Sequence, residues 1–283
     1  MTTPRAVLAA DTAAWAEAVQ IEHWRRQAPQ QRFERLRQDV AAARFLARSG
    51  ARMRWPSATE AELDRHVARV WLGGPPPTDP GLAVRTIRGG AMVDPDPYDV
   101  AASVSEALGS LGVGHVVVGS LASIAFGEPR LTRDGDIVAD LQAHHVAGFM
   151  QALADAFFID EQAVWKAVRA RGSFNILHRD SMFKIDLFVD VRSAYQRGTV
   201  QRALPIERGG HRLPVATPED SLLGKLVWYR KGNEVSNQQW RDVLGVLLVQ
   251  ADALDDAYLN RWAADLGVAD LLAKARAAVL PPG

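Results

Sequence analysis

The run His115-Val-Val-Val-Gly119-Ser120, followed after thirteen intervening residues by Asp134-Gly-Asp136-Ile-Val-Ala139, decides how this chain folds. Three valines in a row, closed by a glycine, read as a short buried strand, and Ser120 to Phe126 reads as the helix it turns into. A strand that passes through Gly-Ser into a helix presents unpaired backbone amides at the helix start. Gly119 lets a phosphate approach the backbone, and the Ser120 hydroxyl adds a donor. The same turn also serves as a simple helix cap that needs no ligand.

Asp136-Ile-Val-Ala139 is the second strand. In an extended chain positions i and i+2 share a face, so Asp134 and Asp136 point the same way. Two neighbouring carboxylates repel unless a cation lies between them. The alternative is an exposed Asp-Gly turn with both groups solvated. Further on, Phe183-Lys-Ile-Asp-Leu-Phe-Val189 alternates: Phe183, Ile185, Leu187 and Val189 form one face, with Lys184, Asp186 and Phe188 on the other. An acid in the middle of so apolar a run either guards a sheet edge or has a partner. Carboxylates on neighbouring strands beside a phosphate-binding turn suit two-metal phosphoryl transfer. Oxygen ligands, without cysteine or paired histidine, favour Mg2+ or Mn2+ over zinc.

Together these residues resemble the DNA polymerase β-type nucleotidyltransferase superfamily. Arg130-Leu-Thr-Arg133-Asp134 is similar to the Arg-x-Thr-x-Asp lead-in of its minimal and AbiEii-type toxin branches. Thr217-Pro-Glu-Asp, Lys225 and Ser236-x-x-Gln-Trp-Arg-Asp242 resemble that branch's later motifs, so the likeness spans about residues 98–250. It implies that Asp134, Asp136 and Asp186 bind metal and carry catalysis. It further implies that Gly119, Ser120, Arg133, Lys225 and Asp242 hold an NTP. Asp186 would help activate an acceptor hydroxyl, and Lys225 would stabilise departing pyrophosphate. From residues alone, the Lys225 stem could equally cover apolar surface beside Leu222 and Tyr229, and Asp242 could be solvated. Gly135 departs from the family, which places an aliphatic residue between the aspartates; glycine weakens a strand locally.

Working outward, the chain reads as α+β: a small mixed sheet flanked by helices, with an N-terminal helical region and a helical C-terminal half. Asn175-Ile-Leu-His178 and Phe183–Val189, with Arg-Asp-Ser between them, predict a hairpin. A helix is expected to carry Val146, Phe149, Met150, Leu153 and Phe157 on one face. Before the sheet, three helices are expected: one capped by Asp11 and running to about Gln27, one from Pro29 to Gly50, and one opened by a Ser57/Glu60 capping box and ending at Gly73. The expected organisation is 1–73 N-terminal three-helix region, 74–97 proline-rich linker, 98–215 catalytic domain and 216–283 C-terminal helical domain.

The 283 residues carry 33 basic and 33 acidic side chains, so no net field steers a partner. Between Arg25 and Arg54, however, nine arginines face two acids. That excess reads either as a solvated helical unit packed on the rest, as a dock for RNA phosphates, or as a regulatory, antitoxin-like module. The absence of cysteine excludes disulfides and thiolate metal sites. No membrane span or signal-like segment is evident, and a cytoplasmic protein is the expectation. Gly109-x-x-Gly112-x-Gly114 precedes its strand and is no dinucleotide fingerprint. His144-His145 should face apart, which disfavours a metal pair, and the eight Trp read as core and interface residues.

The expected activity is transfer of NMP from an NTP to an acceptor hydroxyl on RNA such as tRNA, or on protein, as a toxin of a toxin–antitoxin pair would do. Two alternatives stay open: a small-molecule, antibiotic-type nucleotidyltransferase, and a non-catalytic nucleotidyltransferase-like binding protein.

Overall fold

The computed structural model describes residues 7–8, 12–73 and 96–279. Helices α1 (Ala14–Arg26), α2 (Pro29–Arg54) and α3 (Glu60–Leu72) come first, and α4 (Pro97–Ser110) leads into the sheet. Then follow β1 (His115–Val118), α5 (Gly119–Phe126), β2 (Asp134–Ala139), α6 (Val146–Leu153), β3 (Phe157–Ile159), α7 (Glu161–Ala170), β4 (Ser173–His178) and β5 (Lys184–Phe188). Helix α8 (Ala194–Gln201), β6 (Leu204–Arg208) and β7 (His211–Val215) complete the mixed α/β part. Helices α9 (Pro218–Lys231), α10 (Asn237–Gln250), α11 (Asp256–Asp265) and α12 (Ala269–Val279) close the chain.

The seven strands form one mixed sheet in the order β3-β4-β5-β2-β1-β7-β6. Its centre is β5-β2-β1, where β2 runs parallel to β5 and antiparallel to β1. Strict alternation separates the two faces. Gly135, Ile137, Ala139, Ile185 and Leu187 are buried on one, while Asp134, Asp136, Val138, Lys184, Asp186 and Phe188 are half-buried on the other. The buried face joins Leu108, Leu121, Phe149 and Val164 in one core. Each such large apolar side chain removed from water contributes about 1.5–3 kcal/mol. The expected β4–β5 hairpin forms, with Asn175 opposite Asp186.

Three strands were not anticipated from the pattern. Leu204–Arg208 and His211–Val215 pair as a hairpin across Gly209-Gly210, whose φ values of +60° and +84° suit glycine. Pro205 and Pro214 obscured that hairpin; they face each other in the register, and β6 is the sheet's edge strand, where proline is tolerated. Phe157, expected on a helix face, instead begins β3 after a turn that ends α6, and it is still fully buried.

The N-terminal helices share the cores of the rest. Phe33, Leu36 and Val40 of α2 join the sheet's core, where Phe33 meets Tyr98 edge-on with ring centroids 5.1 Å apart. Ile21 of α1 packs with Leu226, Val243 and Leu259 in the C-terminal helical core. Two element ends differ from expectation. Helix α2 runs through Gly50 to Arg54, because continuing it buries Ala51 and lets Arg48 and Arg52 pair with Glu60 and Asp64 of α3. The third helix is opened by Thr59, not Ser57. Ala58 N–H closes a turn onto the Trp55 carbonyl, and Thr59 and Glu62 then make the reciprocal cap, at 3.3 and 2.8 Å. Gly73 ends α3 at φ +70°, as expected. The Asp11 cap and the linker residues 74–95 lie outside the described residues.

Candidate active site

The register of three strands assembles the site. Asp136 stands opposite Val118 on β1, the residue that precedes Gly119-Ser120, and opposite Asp186 on β5. One step back along the same strands, Asp134 stands opposite Lys184. Residues separated by about 50 positions are therefore neighbours on a single face.

Gly119 is required there for two reasons. Its φ of +63° lies in the left-handed region, and a Cβ at this position would overlap the Asp136 carboxylate. Asp136 thus sits directly against the strand-to-helix turn. Burial, then the charges of Asp134 and Asp186, push its carboxyl up to about 6, against the opposing pull of Lys225 and Lys184. Asp134 is steadied by Thr132, whose buried hydroxyl lies 3.2 Å from Asp134 Oδ1 and 3.1 Å from its carbonyl oxygen.

Gly135 has a plain packing cause. A Cβ there would come within 2.8 Å of Leu121 Cδ1 and 3.0 Å of Ile185 Cδ1. Leu121, one residue into α5 from Ser120, fills the space an aliphatic residue would take between the aspartates.

A second cluster lies on the other side of Ser120. Asp242 on α10 is buried and accepts hydrogen bonds from Arg130 Nε and Nη2, each at 2.7 Å, and from Gln238 at 3.0 Å. Its other charge partner is Lys225 on α9, at 2.7 Å with both side chains 4% exposed. Burial raises the Asp242 carboxyl, but the two cations outweigh it and hold it below the ordinary aspartate value. Arg130 Nη2 also donates to Ser120 Oγ at 3.0 Å, and Lys225 Nζ lies 3.5 Å from the same oxygen. Two cations are thereby aimed at the Gly-Ser turn by one buried acid. Asp242, Lys225, Ser120 and Gly119 are brought together; Arg133 is not. It is exposed at the foot of β2, and Arg130 takes the position beside Ser120.

Two residues of this site were given no role from sequence. Arg130 was visible in the Arg-x-Thr-x-Asp lead-in, but which of its two arginines turns inward depends on the loop before β2. Lys184 was placed on the right face by alternation. Its Nζ lies 2.6 Å from Asp186 Oδ2 and 3.8 Å from Asp134 Oδ2. Burial opposes its charge, yet Asp186, Asp134 and Asp136 together raise its pKa above the usual lysine value.

As a test of metal fit, the donor set is all carboxylate oxygen, and the repulsion that raises Asp136 is what a divalent ion relieves. Among the described residues no three acids or imidazoles stand close enough to grip an ion as they are placed. The Lys184 ammonium occupies that part of the face, and Asp186 is turned toward it. The chemistry fits, with a local cation in the way.

On the same face, Phe188 packs against Trp228, one turn beyond Lys225 on α9, with ring centroids 5.9 Å apart and Trp228 50% exposed. The His144 and His145 rings, expected to face apart, lie 3.8 Å between centroids in a 3-10 turn. Asp140 and Asp190, at the strand ends, pair with Arg171 and Arg192.

The arginine-rich helix is largely turned on its own molecule. Arg32 is buried and donates to the carbonyls of Ala125 and Trp24, and buried Arg44 donates to the Ser181 carbonyl and covers Trp71. Arg26, Arg35, Arg37, Arg48 and Arg52 pair with acids of α1, α2 and α3. No helix among the described residues is long and apolar enough to cross a membrane.

No protein-family model matches the chain, and no curated protein matches it. Among solved structures it is similar to an antigenic nucleotidyltransferase-like protein from Paracoccidioides brasiliensis, at 17% identity and a TM-score of 0.39, over 63% of this chain and 94% of that one. It is also similar to the antibiotic-resistance factor ANT(2'')-Ia, at 11% identity and a TM-score of 0.36, over 64% of this chain and 95% of that one. The likeness is one of fold alone.

Proposed function

We propose that this chain is a metal-dependent nucleotidyltransferase that moves NMP from an NTP to an acceptor hydroxyl and releases pyrophosphate. The observation that carries the reading is the register that sets Asp136 beside Asp186 and the Gly119-Ser120 turn, with Lys225 and Arg130 converging on Ser120.

In this reading the first-turn amides of α5 and the Ser120 hydroxyl receive phosphate oxygens, since those amides have no intrahelical acceptor. Lys225 and Arg130 supply positive charge where pyrophosphate departs. Asp242 is their positioning residue. Asp134, Asp136 and Asp186 would hold Mg2+ or Mn2+, which when bound polarises the transferred phosphoryl group and lowers the pKa of a coordinated hydroxyl. Asp186 is the acid that would take the acceptor's proton in this reading.

The toxin-like branch, with an RNA or protein acceptor, rests on the Arg130-x-Thr132-x-Asp134, Lys225 and Arg241-Asp242 motifs and is our reading of the finer function. A small-molecule acceptor is the second reading. It is favoured by the engagement of the α2 arginines within the molecule, which leaves that helix a weaker RNA dock than its composition suggests.

Incubation with each labelled NTP, Mg2+ and either total cell RNA, cell protein or hydroxyl-bearing small-molecule antibiotics distinguishes these acceptors. Asp136→Ala should abolish labelling and pyrophosphate release. Undiminished turnover in that variant would refute the enzyme reading.

A further inference from the structure

We infer that Lys184 is a built-in counter-cation of the carboxylate face, and that a divalent ion loads the site by displacing its ammonium from Asp186. This rests on the metal-dependent reading above and adds to it a residue that sets how tightly the ion is held.

Three carboxylates from two adjacent strands share one half-buried face. Among the described residues, Lys184 supplies the ion pairs to Asp186 and Asp134, at 2.6 and 3.8 Å. The other two cations nearby, Lys225 and Arg130, are both anchored on Asp242, although the charge of Lys225 also reaches Asp136. The ammonium pairs with acids of both strands, and these are acids that would hold the ion. A divalent ion and the ammonium would compete for the same carboxylate oxygens, and their like charges repel. Lys184 also accounts for the absence, among the described residues, of a ready three-acid grip, because it draws Asp186 toward itself.

The side chain is able to leave. It is 35% exposed, on a flexible four-carbon stem that retains its charge when swung toward solvent. The metal-free face is thereby kept from carrying three uncompensated negative charges, and ion affinity is lowered by the competition.

Mn2+ binding to the full chain, stripped of metal and free of NTP, tests this through loss of the free-ion electron paramagnetic resonance signal. Wild type, Lys184→Met, Lys184→Gln and Lys184→Arg are compared, each also followed by thermal unfolding with and without Mn2+. The neutral variants should bind Mn2+ about tenfold tighter or more, and Lys184→Arg should stay near wild type. The neutral variants should also melt lower without metal and gain more on adding it. Unchanged or weaker binding in both neutral variants, or a Lys184→Arg as tight as they are, would overturn the inference alone, provided wild-type binding is lost in Asp136→Asn. No Mn2+ binding by wild type or any variant would overturn both this inference and the proposed function.

Discussion

Gly119→Ala separates the two demands placed on that residue. At φ +63° an alanine pays the left-handed penalty of about 1–2 kcal/mol. Its Cβ would in addition overlap the Asp136 carboxylate, so Asp136 must move or the turn must open. A displacement of about 1 Å in a reacting group costs on the order of 100-fold in rate. The control is Gly209→Ala, at φ +60° in the β6–β7 turn with nothing within 4 Å of the added Cβ. Both variants should lose the same backbone contribution, and Gly119→Ala should lose about 1–2 kcal/mol more from the overlap. Thermal unfolding measures the first comparison and pyrophosphate release the second. Gly209→Ala should retain wild-type turnover, and Gly119→Ala should fall by about 100-fold. Wild-type turnover in Gly119→Ala, or equal destabilisation of the two variants, would show that Asp136 does not rest on the turn as described.

Other expectations follow from the same geometry. The raised carboxyl of Asp136 means that the folded state holds a proton more tightly than the unfolded chain, so metal-free stability falls as pH rises from about 4 to about 6 and stays low above it. Asp136→Asn should therefore stabilise the metal-free protein at pH 7, on the order of 1–3 kcal/mol, and not at pH 4, as denaturant unfolding at the two pH values would show. Gly135→Val should lose about 1–3 kcal/mol through collision with Leu121 and Ile185, and Leu121→Ala in the same chain should recover part of that loss. A double variant no more stable than the single one would count against the packing cause. Asp242→Ala leaves Lys225 and Arg130 without their common acid and should cost about 3–5 kcal/mol, whereas Asp242→Asn should cost less yet still weaken NTP binding in calorimetry.

Much of the candidate site's carboxylate face was legible because strands carry a period of two. Asp134-x-Asp136 and Lys184-x-Asp186 could each be assigned a face from spacing alone, and the β4–β5 hairpin from its turn residues. The β6–β7 hairpin was hidden by its prolines, and Thr59 took the cap from Ser57 because Pro56-Ser57 was used in a turn. The excess of arginine in α2 was visible, but its destination was not. A guanidinium that donates to a carbonyl 93 or 137 residues away leaves no local mark in composition.

The amino-acid order by itself determined strands β1, β2, β4 and β5, the face on which each acid lies, and the glycine at the turn, since all of these depend on neighbours within a few residues. Tertiary structure alone decided that Asp136 meets Asp186, that Leu121 fills the space beside Gly135, that Arg130 and not Arg133 reaches Ser120, and that Asp242 holds Lys225. Those outcomes are set by strand order and by how helices from opposite ends of the chain pack on one core, where side-chain volume and the need to pair every buried charge select a single arrangement.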